Sequence, residues 1–480
     1  MSGKRAQGLR LKALEGTVLG PIAEAALRRA ESLPAVTDET VAAAMAAPRG
    51  ASGLREALSR PGRRFILEVK AASPSLGVIR SDIDLEACAR AYARHADAVS
   101  VLTEPTAFGG SFGCLARMRA LTTLPILAKD VTVDERQILA ARAAGADAVL
   151  LMLSVLEPEA CRRLAAFAKR LGLDVITEAS GEAEVLEAAA SGAEIIGINH
   201  RNLRDLTIDL DRSARLAHLV PGDRILVAES GIRTHADVER VARAARVFLV
   251  GSVLNQADDV SLAVRRLVFG EMKVCGITRA DDATRAALEG FSAAGVVLAK
   301  RSPRAVTPEG LAVLSNEIKE RTKALGLTMP VTAVVDTDET DVLRAIASPA
   351  AAGAFTPLQI HGDVTDADLE GLRVLFPGKA LHLAAALPED PVALAEAARR
   401  LEGLLERGLA DRIVVDGTSD GLAGGLTPEN ARTAAAAGAA GLDANSGVES
   451  APGLKDPRLL ALFAGAVRRC PRRRPENRTH

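Results

Sequence analysis

A carboxylate and an ammonium group stand near the end of an otherwise apolar stretch, FILEVKAASPSLGVIR (65–80). The run Phe65–Val69 is typical of a buried β-strand except for Glu68, and Lys70 follows it directly. Because strand side chains alternate with a period of two, Glu68 and Lys70 share one face. Charge within a buried strand is costly unless it is paired or used. The pair therefore indicates a site of polar chemistry at a strand end.

Seven later apolar runs also carry polar residues at their ends. The runs follow at spacings of roughly 20 to 30 residues, as repeated βα units do. They are Ala98–Glu104, Pro125–Asp130, Ala148–Leu153, Asp174–Ala179, Glu194–Asn199, Arg224–Ser230 and Val247–Ser252. The polar residues at or just after these ends are Glu104, Lys129, Glu178, Asn199, Arg201, Glu229 and Ser230.

The segments between these runs are rich in Ala, Arg and Glu with helical spacing, and several end in Gly as a helix C-cap does. Strands and helices that alternate in this way predict an α/β fold with a parallel sheet. Eight units before residue 255, with no GxGxxG turn, favour a (β/α)8 TIM barrel over an open doubly wound sheet. In such a barrel the chemistry lies at the C-terminal ends of the strands.

A second α/β region begins near Phe269 without a flexible linker. Its predicted strands are Lys273–Ile277, Ala294–Ala299, Val331–Val335, Pro357–Gly362, Ala380–Ala386, Arg412–Asp416 and Ala440–Asn445. We therefore predict two fused barrels, the first over residues 1–268 with an N-terminal helical extension and the second over residues 269–466. Residues 467–480 are basic and interrupted by Pro, and we expect them to be a disordered tail.

Composition excludes several classes of function. The 480 residues carry 60 basic and 61 acidic side chains, so no nucleic acid is expected as a partner. No apolar signal core or membrane-length run occurs, and five cysteines without a CxxC pair argue against a disulfide framework. Neither a metal-ligand cluster nor a dinucleotide fingerprint appears, so we expect no metal and no cofactor. We predict a cytoplasmic protein, and a monomer.

Both halves carry glycines where a barrel binds phosphate, in the loops after the last two strands. In the first half the backbone N–H groups of Gly231, Gly251 and Ser252 are the candidates. In the second half the corresponding residues are Gly424, Gly425, Ser446 and Gly447. Each glycine alone could be a simple turn residue. Their occurrence at the same two strand ends of both halves indicates phosphate binding.

The sequence resembles a family of bifunctional tryptophan-biosynthesis enzymes that fuse indole-3-glycerol phosphate synthase to phosphoribosylanthranilate isomerase. The synthase resemblance covers about residues 1–265 through EVKAASPSLGVIR, SVLTEPTAFGGS, PILAKD, ITEAS, GINHRNL, VAESGI and FLVGS. The isomerase resemblance covers about residues 270–465 through KVCGITR, KRSPRAV, LQIHGD, AGGLTPEN and LDANSGVESAPGLKD. Together the two resemblances imply small phosphorylated anthranilate-sugar substrates for both halves.

For the first half, the resemblance implies ring closure and decarboxylation of 1-(o-carboxyphenylamino)-1-deoxyribulose 5-phosphate to indole-3-glycerol phosphate. It makes Lys129 the general acid at the substrate carbonyl and gives Lys70 the substrate carboxylate and a part in proton transfer. Glu68 and Glu178 would stabilise the cationic intermediate, and one of them would assist dehydration. The residues that would position the substrate are Asn199, Arg201 and Ser230, and those that would hold its phosphate are Ser73, Gly231, Gly251 and Ser252.

Each of these residues also has a simpler interpretation. Lys129 and Asp130 could be an exposed pair that contributes little. Glu178 could cap the following helix, and Arg201 could be a solvated loop residue. All of these interpretations would have to hold together on several strand ends of one barrel, and this favours an active site.

For the second half, the resemblance implies isomerisation of N-(5-phosphoribosyl)anthranilate to the synthase substrate. It makes Asp416 the acid that opens the ribose ring and Cys275 the base at C2′, with Arg304 on the anthranilate carboxylate. Cys275 could instead be a small buried apolar residue, and Asp416 a turn residue before Gly417.

The second half departs from the family after its sixth strand. Only GTSDGLA separates Asp416 from Gly424, whereas a crossover needs about 10 to 12 residues, so a whole βα unit does not fit. Either the second barrel lacks one unit and closes imperfectly, or its sheet is rearranged around the gap, or GTSDGL forms a makeshift seventh strand. Three functions therefore remain open: a fully bifunctional enzyme, a synthase with an impaired isomerase domain kept for structure or interaction, and a non-catalytic phosphosugar-binding protein.

Overall fold

A computed structural model describes residues 8–10, 14–202, 205–388, 390–416, 425–437, 439 and 441–469, without the side chains of residues 350 and 416. The chain divides into two compact units between Val268 and Phe269. Within the described parts of the chain, no helix is both long and apolar enough to cross a lipid bilayer.

The first unit is a closed barrel of parallel strands, as the alternating pattern predicts. Its described strands, β1 to β8, are Arg64–Val69, Ala98–Leu102, Ile126–Lys129, Ala148–Met152, Asp174–Ala179, Ile195–Asn199, Ile225–Glu229 and Val247–Val250. Each strand pairs with its neighbours in chain order, and β8 closes the barrel on β1 through Arg64↔Val247 to Leu67↔Val250. Because the strands are parallel, all their C-terminal ends meet on one face.

Helices surround this barrel and alternate with its strands. Those after β1 are Leu85–His95, Phe112–Leu121, Glu135–Ala143, Pro158–Arg170, Glu182–Ala190, Arg212–Leu216, His235–Val241 and Val260–Phe269, with the short helices Pro105–Phe108 and Ser252–Gln256 and the 3₁₀ turn Ala217–Leu219. Apolar side chains such as Ile66, Leu127 and Ile176 are buried in its core. Phe65 and Phe248 stack at 5.3 Å between ring centroids and join β1 to β8.

The N-terminal extension is helical, with helices Leu19–Ser32, Asp38–Ala46 and Leu54–Ser59. The first helix buries Leu19, Ile22, Ala23, Ala26 and Ala30, which recur at helical spacing on one face. This face packs into the same apolar core as the barrel strands. The extension therefore covers part of the barrel's C-terminal face.

The second unit is a curled sheet of parallel strands. Its described strands, β9 to β15, are Glu271–Val274, Ala293–Val297, Val331–Asp336, Pro357–His361, Ala380–Ala386, Arg412–Asp416 and Gly441–Ala444. Their order is β14-β13-β12-β11-β10-β9-β15, so in the described structure β14 and β15 are the two ends of the sheet. A barrel short of one βα unit has this order. The segment 417–424, which joins β14 to the rest of the unit, lies outside the described residues.

The helices of the second unit are Ala280–Glu289, Pro308–Ala324, Thr340–Ile346, Pro349–Ala352, Asp366–Leu375, Pro391–Glu406, Ala431–Ala436 and Pro457–Val467, with the 3₁₀ turn Ser446–Val448. The predicted tail at residues 467–480 begins too early, because Val467 ends the last helix and is fully buried. Residues 470–480 of that tail lie outside the described part of the chain.

Candidate active site

A cavity of about 270 Å³ opens at the C-terminal face of the first barrel. Val18 and Ile22 of the N-terminal extension and Leu102, Leu150 and Met152 of the strand ends form part of its apolar wall. The first-half site residues predicted from the sequence all line this cavity, namely Glu68, Lys70, Ser73, Lys129, Glu178, Asn199, Arg201, Ser230, Gly231, Gly251 and Ser252. An apolar pocket with a few convergent polar groups suits a small organic ligand.

Two lysines flank one buried carboxylate at the base of this cavity. Glu68 Oε1 lies 2.7 Å from Lys70 Nζ, and Glu68 Oε2 lies 3.6 Å from Lys129 Nζ. Burial by itself would raise the pKa of Glu68, but the two ammonium groups hold it below its usual range. Glu68 is therefore an anion at neutral pH. Lys129 is largely buried, so the interpretation of Lys129 and Asp130 as an exposed pair is wrong.

Glu229 is the second partner of Lys129, and sequence reasoning assigned it no role. Its Oε2 lies 2.9 Å from Lys129 Nζ, and its side chain is fully buried. Burial lowers the pKa of Lys129, but Glu229, Glu68 and Glu178 together raise it above its usual value. A carboxylate in the apolar strand RILVAES was the available signal, the same one that identified Glu68.

A strand glycine makes room for this carboxylate. A Cβ placed on Gly197 of β6 would lie 2.2 Å from Glu229 Oε1. Glycine within a strand marks such a close approach. Glu229 Oε1 is buried and has no hydrogen-bond partner among the described residues. A buried acceptor of this kind is rare unless a ligand or water satisfies it.

The pKa of Glu178 is shifted in the opposite direction from that of Glu68. Glu178 is buried at the end of β5, and Asn199 Nδ2 donates to its Oε1 over 3.2 Å. Burial, and then the charge of nearby Glu229, raise the pKa of Glu178 to about 8. The side chain is therefore mainly protonated at neutral pH. Among the described residues Glu178 makes no helix-cap bond, because the following helix Glu182–Ala190 has no side-chain cap.

Asn199 also orders the loop that carries Arg201. Its Oδ1 accepts from the Arg201 backbone N–H over 2.9 Å, and Arg201 Nη1 donates to the Leu206 carbonyl over 3.0 Å. Burial lowers the pKa of Arg201, which is half-buried rather than a freely solvated loop residue. Its guanidinium faces the cavity with donors to spare.

Ser230 has a backbone conformation that non-glycine residues rarely adopt, with φ at +68°. His200 holds it there, because His200 Nδ1 lies 2.9 Å from the Ser230 carbonyl oxygen while Nε2 lies 2.6 Å from Ser213 Oγ. Burial lowers the pKa of His200, which favours the neutral ring with one donor and one acceptor. The strained turn exposes Gly231 to the cavity.

The candidate phosphate residues line the same cavity. Ser73 belongs to a small antiparallel ribbon, Ala72–Ser73 with Gly77–Val78. Gly251 follows β8 directly, and a Cβ there would lie 2.3 Å from Glu68 Oε1. Ser252 begins the short helix Ser252–Gln256. The backbone turn at Gly251 therefore lies against the Glu68 carboxylate and admits no side chain.

An arginine of the N-terminal extension ties that helix to two strand ends. Arg29 Nη1 lies 3.5 Å from Glu104 Oε1, and Arg29 Nη2 pairs with Asp130, which also accepts from Thr103 Oγ1 over 2.9 Å. Glu104 and Asp130 are buried. Burial raises the pKa of Asp130, and Arg29 opposes this effect. Sequence reasoning could not predict this contact, because Arg29 is one of many arginines in the helices.

In the second unit, Cys275 directly follows β9 and is buried. Lys273 Nζ lies 3.8 Å from its Sγ, 2.5 Å from Gln359 Oε1 and 2.8 Å from Asp443 Oδ2. Burial raises the pKa of the Cys275 thiol above its usual value, and Lys273 offsets only part of this effect. A charged lysine beside the sulfur distinguishes this cysteine from a buried apolar residue.

Arg304 lies against the residue that follows Cys275. A Cβ on Gly276 would lie 2.5 Å from Arg304 Cδ, so Arg304 is in direct contact with the residue that follows Cys275. Arg304 donates to both carboxylate oxygens of Glu449, over 3.0 Å from Nε to Oε1 and 2.6 Å from Nη2 to Oε2. Lys455 Nζ binds the same carboxylate over 2.7 Å.

The structure describes only part of the predicted second phosphate site. Gly447 lies so close to the Leu426 carbonyl that a Cβ would be 2.0 Å from its oxygen. The loops at Gly425 and Ser446 are therefore adjacent. Gly424 lies outside the described residues. Asp416 is the last residue of β14, and its side chain is not among those described.

Among the residues that the structure describes, no group of three or more His, Cys, Asp or Glu side chains has the geometry of a metal site. The groups that face a ligand in the first barrel are carboxylates, ammonium groups, a guanidinium group and hydroxyl groups.

Comparison with known proteins places both units. The sequence matches the family model "Indole-3-glycerol phosphate synthase" over residues 23–267 and the model "N-(5'phosphoribosyl)anthranilate (PRA) isomerase" over residues 404–466. The chain belongs to the indole-3-glycerol phosphate synthase family, and its second unit carries the isomerase model in its C-terminal part.

Relatives that match most of this chain define its family more closely. The "Tryptophan biosynthesis protein TrpCF" of Vibrio cholerae is 41% identical and covers 84% of this chain and 86% of its own. The protein of the same name from Corynebacterium glutamicum is 39% identical and covers 87% of this chain and 91% of its own. The phosphoribosyl anthranilate isomerase structure from Thermus thermophilus is 28% identical, with a TM-score of 0.30, over 41% of this chain and 98% of its own. The chain belongs to the two-domain TrpCF family.

Proposed function

We propose that the chain is a bifunctional enzyme of tryptophan biosynthesis whose first barrel is the synthase. The observation that carries this proposal is the cluster of Glu68, Lys70, Lys129 and Glu178 around one cavity, in which Lys129 also pairs with Glu229 and the carboxyl groups of Glu68 and Glu178 are in opposite states of protonation. Mere binding of a phosphosugar needs none of these groups, which argues against a non-catalytic protein.

Ring closure requires a proton at the substrate ketone as a carbon–carbon bond forms. The ring carbon that bears the carboxylate attacks the ketone carbon, and Lys129 gives its proton to the ketone oxygen, which becomes a hydroxyl group. The bond from the ring to the carboxylate carbon then breaks, its electron pair returns to the ring, and carbon dioxide leaves. Glu229 and Glu68 keep Lys129 protonated for this step, and Lys70 holds the carboxylate.

Dehydration requires an acid for the leaving hydroxyl group and a base for the adjacent carbon. Glu178 is the acid, because its raised pKa of about 8 leaves it protonated at neutral pH. The hydroxyl group leaves as water, and the C1′ proton passes to a carboxylate as the indole becomes aromatic. Glu68, which stays ionised, stabilises the cation between the two steps.

Asn199, Arg201 and Ser230 position the anthranilate and the sugar hydroxyls in this proposal. Asn199 is already bound to Glu178, so it also fixes the acid. Ser73, Gly231, Gly251 and Ser252 hold the phosphate. The apolar wall accepts the aromatic ring.

The second unit carries the isomerase activity in this proposal. Asp416 protonates the ribose ring oxygen and opens the ring, and the Cys275 thiolate removes the C2′ proton of the Schiff base. Lys273 stabilises that thiolate. Arg304, whose Nε and Nη2 already donate to Glu449, binds the anthranilate carboxylate through its remaining donors. Gly424, Gly425, Ser446 and Gly447 hold the phosphate.

One observation favours a second candidate, a synthase whose isomerase domain is impaired. The described sheet of the second unit has β14 and β15 as its ends, and β14 carries Asp416. An acid on an end strand is less firmly positioned than one in a closed barrel, and catalysis is sensitive to such positions.

A steady-state assay of the purified protein with each substrate separately distinguishes these candidates. Lys129→Ala should abolish only indole-3-glycerol phosphate formation, and Asp416→Ala only the isomerisation. If the synthase reaction alone runs, the isomerase assignment is wrong and the second candidate holds. If neither reaction runs, the proposed function is wrong.

A further inference from the structure

The strand pairing between β8 and β1 ends before it reaches Glu68 and Lys70. The last pair is Leu67↔Val250, after which the chain turns away at Gly251. On its other side β1 stays paired with β2 as far as Val69↔Val101. The segment that carries Glu68 and Lys70 therefore extends past its strand partner on the β8 side.

The side chain of Asn255 takes the place of that missing partner. Asn255 Nδ2 donates to the Glu68 carbonyl oxygen over 2.8 Å, and its Oδ1 accepts from the Lys70 backbone N–H over 3.2 Å. In a parallel sheet, a residue hydrogen-bonds to the two residues that flank the one directly opposite it on the neighbouring strand. The Asn255 carboxamide thus makes the two hydrogen bonds that a strand residue opposite Val69 would make. We call this pair of bonds the Asn255 rung.

Two more bonds fix this rung. Asn255 Nδ2 also donates to the Gly251 carbonyl oxygen over 2.8 Å, and Tyr92 Oη donates to the Glu68 carbonyl oxygen over 3.1 Å. Asn255 is 5% exposed and Tyr92 is fully buried, so water does not compete for these groups. Asn255 therefore bonds both to the turn at Gly251 and to the backbone of the Glu68–Lys70 segment.

We infer that Asn255 is a positioning residue of the synthase reaction, which holds Glu68 and Lys70 in strand geometry while the chain at Gly251 and Ser252 leaves the sheet to face the substrate. This inference rests on the synthase function proposed above. The alternative is that Asn255 only satisfies buried backbone groups, in which case its loss changes stability and not the chemistry.

A positioning role and a purely structural role of Asn255 predict different effects of its loss on Glu68. Lys70 begins the loop that follows β1, so the position of its backbone determines how its ammonium group reaches Glu68 Oε1. If the Lys70 N–H loses its acceptor, the lysine shifts, and a shift of about 1 Å can cost roughly 100-fold in rate. Glu68 then loses a cation that lowers its pKa, so its ionisation moves to higher pH.

Two substitutions test the rung with the side-chain size kept. Asn255→Leu removes the donor and the acceptor, whereas Asn255→Asp keeps the acceptor for the Lys70 N–H and removes the donor to the Glu68 and Gly251 carbonyl oxygens. Asn316→Leu and Asn316→Asp on the exposed face of Pro308–Ala324 are the matched controls. Synthase kcat, KM and the pH profile of kcat are measured on the full chain, with circular dichroism melting to verify folding.

We expect kcat to fall about 10- to 100-fold in both Asn255 variants, with KM within about threefold. In Asn255→Leu, which removes the acceptor of the Lys70 N–H, the acid limb should also move to higher pH. A kcat within about twofold of the wild type, a change in KM alone, or an unshifted acid limb in Asn255→Leu would each overturn the inference. If Asn255→Leu does not fold, Asn255→Asp decides. An inactive wild type refutes the synthase function itself, whereas an active wild type with Asn255 variants equal to the controls refutes only the inference.

Discussion

Lys129 Nζ and Glu229 Oε2 lie 2.9 Å apart and join the ends of β3 and β7 inside the barrel. The pair raises the pKa of Lys129 against the effect of burial, so the ammonium group persists where an isolated buried lysine would lose its proton. The other oxygen of Glu229 is buried against Gly197 without a partner among the described residues. Glu229 therefore binds Lys129 through one oxygen, while its second oxygen is a buried acceptor.

Glu229→Gln should lower synthase kcat about 100-fold, because the general acid loses its main anionic partner. The pKa of Lys129 falls in this variant, so the alkaline limb of kcat should move to lower pH. Glu194→Gln, on a partly exposed carboxylate at the start of β6, is the matched control and should leave kcat unchanged. A kcat of Glu229→Gln equal to that of this control would contradict the assignment.

Glu178→Gln should stabilise the first unit at alkaline pH while it destroys activity. The folded state raises the pKa of Glu178 from 4.5 to about 8, so it binds this proton more tightly than the unfolded chain does. The resulting stability is complete below about pH 4.5 and is lost as the pH rises through 8. Glutamine does not titrate and avoids this loss.

Calorimetry at pH 5 and pH 9 tests this expectation. At pH 9 the variant should gain at least about 1 kcal/mol, which corresponds to about 2–4 °C in the Tm of the first unit. At pH 5 the difference should be much smaller. A variant that is less stable than the wild type at pH 9 would show that Glu178 is not buried in the protonated form.

Arg29→Met should destabilise the first unit by about 2–4 kcal/mol, because it leaves Glu104 and Asp130 buried without their cation. The N-terminal helix also lines the cavity, so KM for the synthase substrate should rise. Urea unfolding and steady-state kinetics measure the two effects.

Arg28→Met on the same helix is the control. Arg28 is 71% exposed and contacts only Glu24 among the ion pairs of the described residues, at 3.8 Å. Such a surface pair contributes about 0–1 kcal/mol. Equal effects of the two substitutions would show that Arg29 does not hold the helix through its charge.

Gly251→Ala should reduce synthase kcat about 100-fold, because the new methyl group would lie 2.3 Å from Glu68 Oε1 and must displace the carboxylate. Gly222→Ala meets no atom within 4 Å and is the control. Wild-type kinetics of Gly251→Ala would indicate that Glu68 moves freely and has no fixed place in the reaction.

The sequence was sufficient to single out charged residues that lie within apolar strands. Glu68, Lys129 and Glu178 interrupt apolar strands, and the parallel topology brings such strand ends to one face. Glu229 gave the same signal, but its role depends on which lysine it faces across the barrel. The protonation states of Glu68 and Glu178 depend likewise on neighbours from other strands, which strand periodicity does not specify.

Contacts made by helices outside the strand pattern could not be predicted. Arg29 and Asn255 are ordinary residues of their helices, and their roles arise from groups at strand ends that are 75 to 187 positions away in sequence. The missing βα unit of the second domain was evident from length alone, because a crossover does not fit between Asp416 and Gly424. Its consequence for Asp416 requires the activity assay.

The most direct test of the central claim is a single turnover of the synthase substrate with Lys129→Met, in which carbon dioxide release is followed. The predicted result is a rate about 1000-fold below the wild type, because ring closure has no proton donor. Lys169→Met, on a lysine that is 58% exposed, should match the wild type. Carbon dioxide release by Lys129→Met at the wild-type rate would contradict the role of Lys129 as the acid of ring closure.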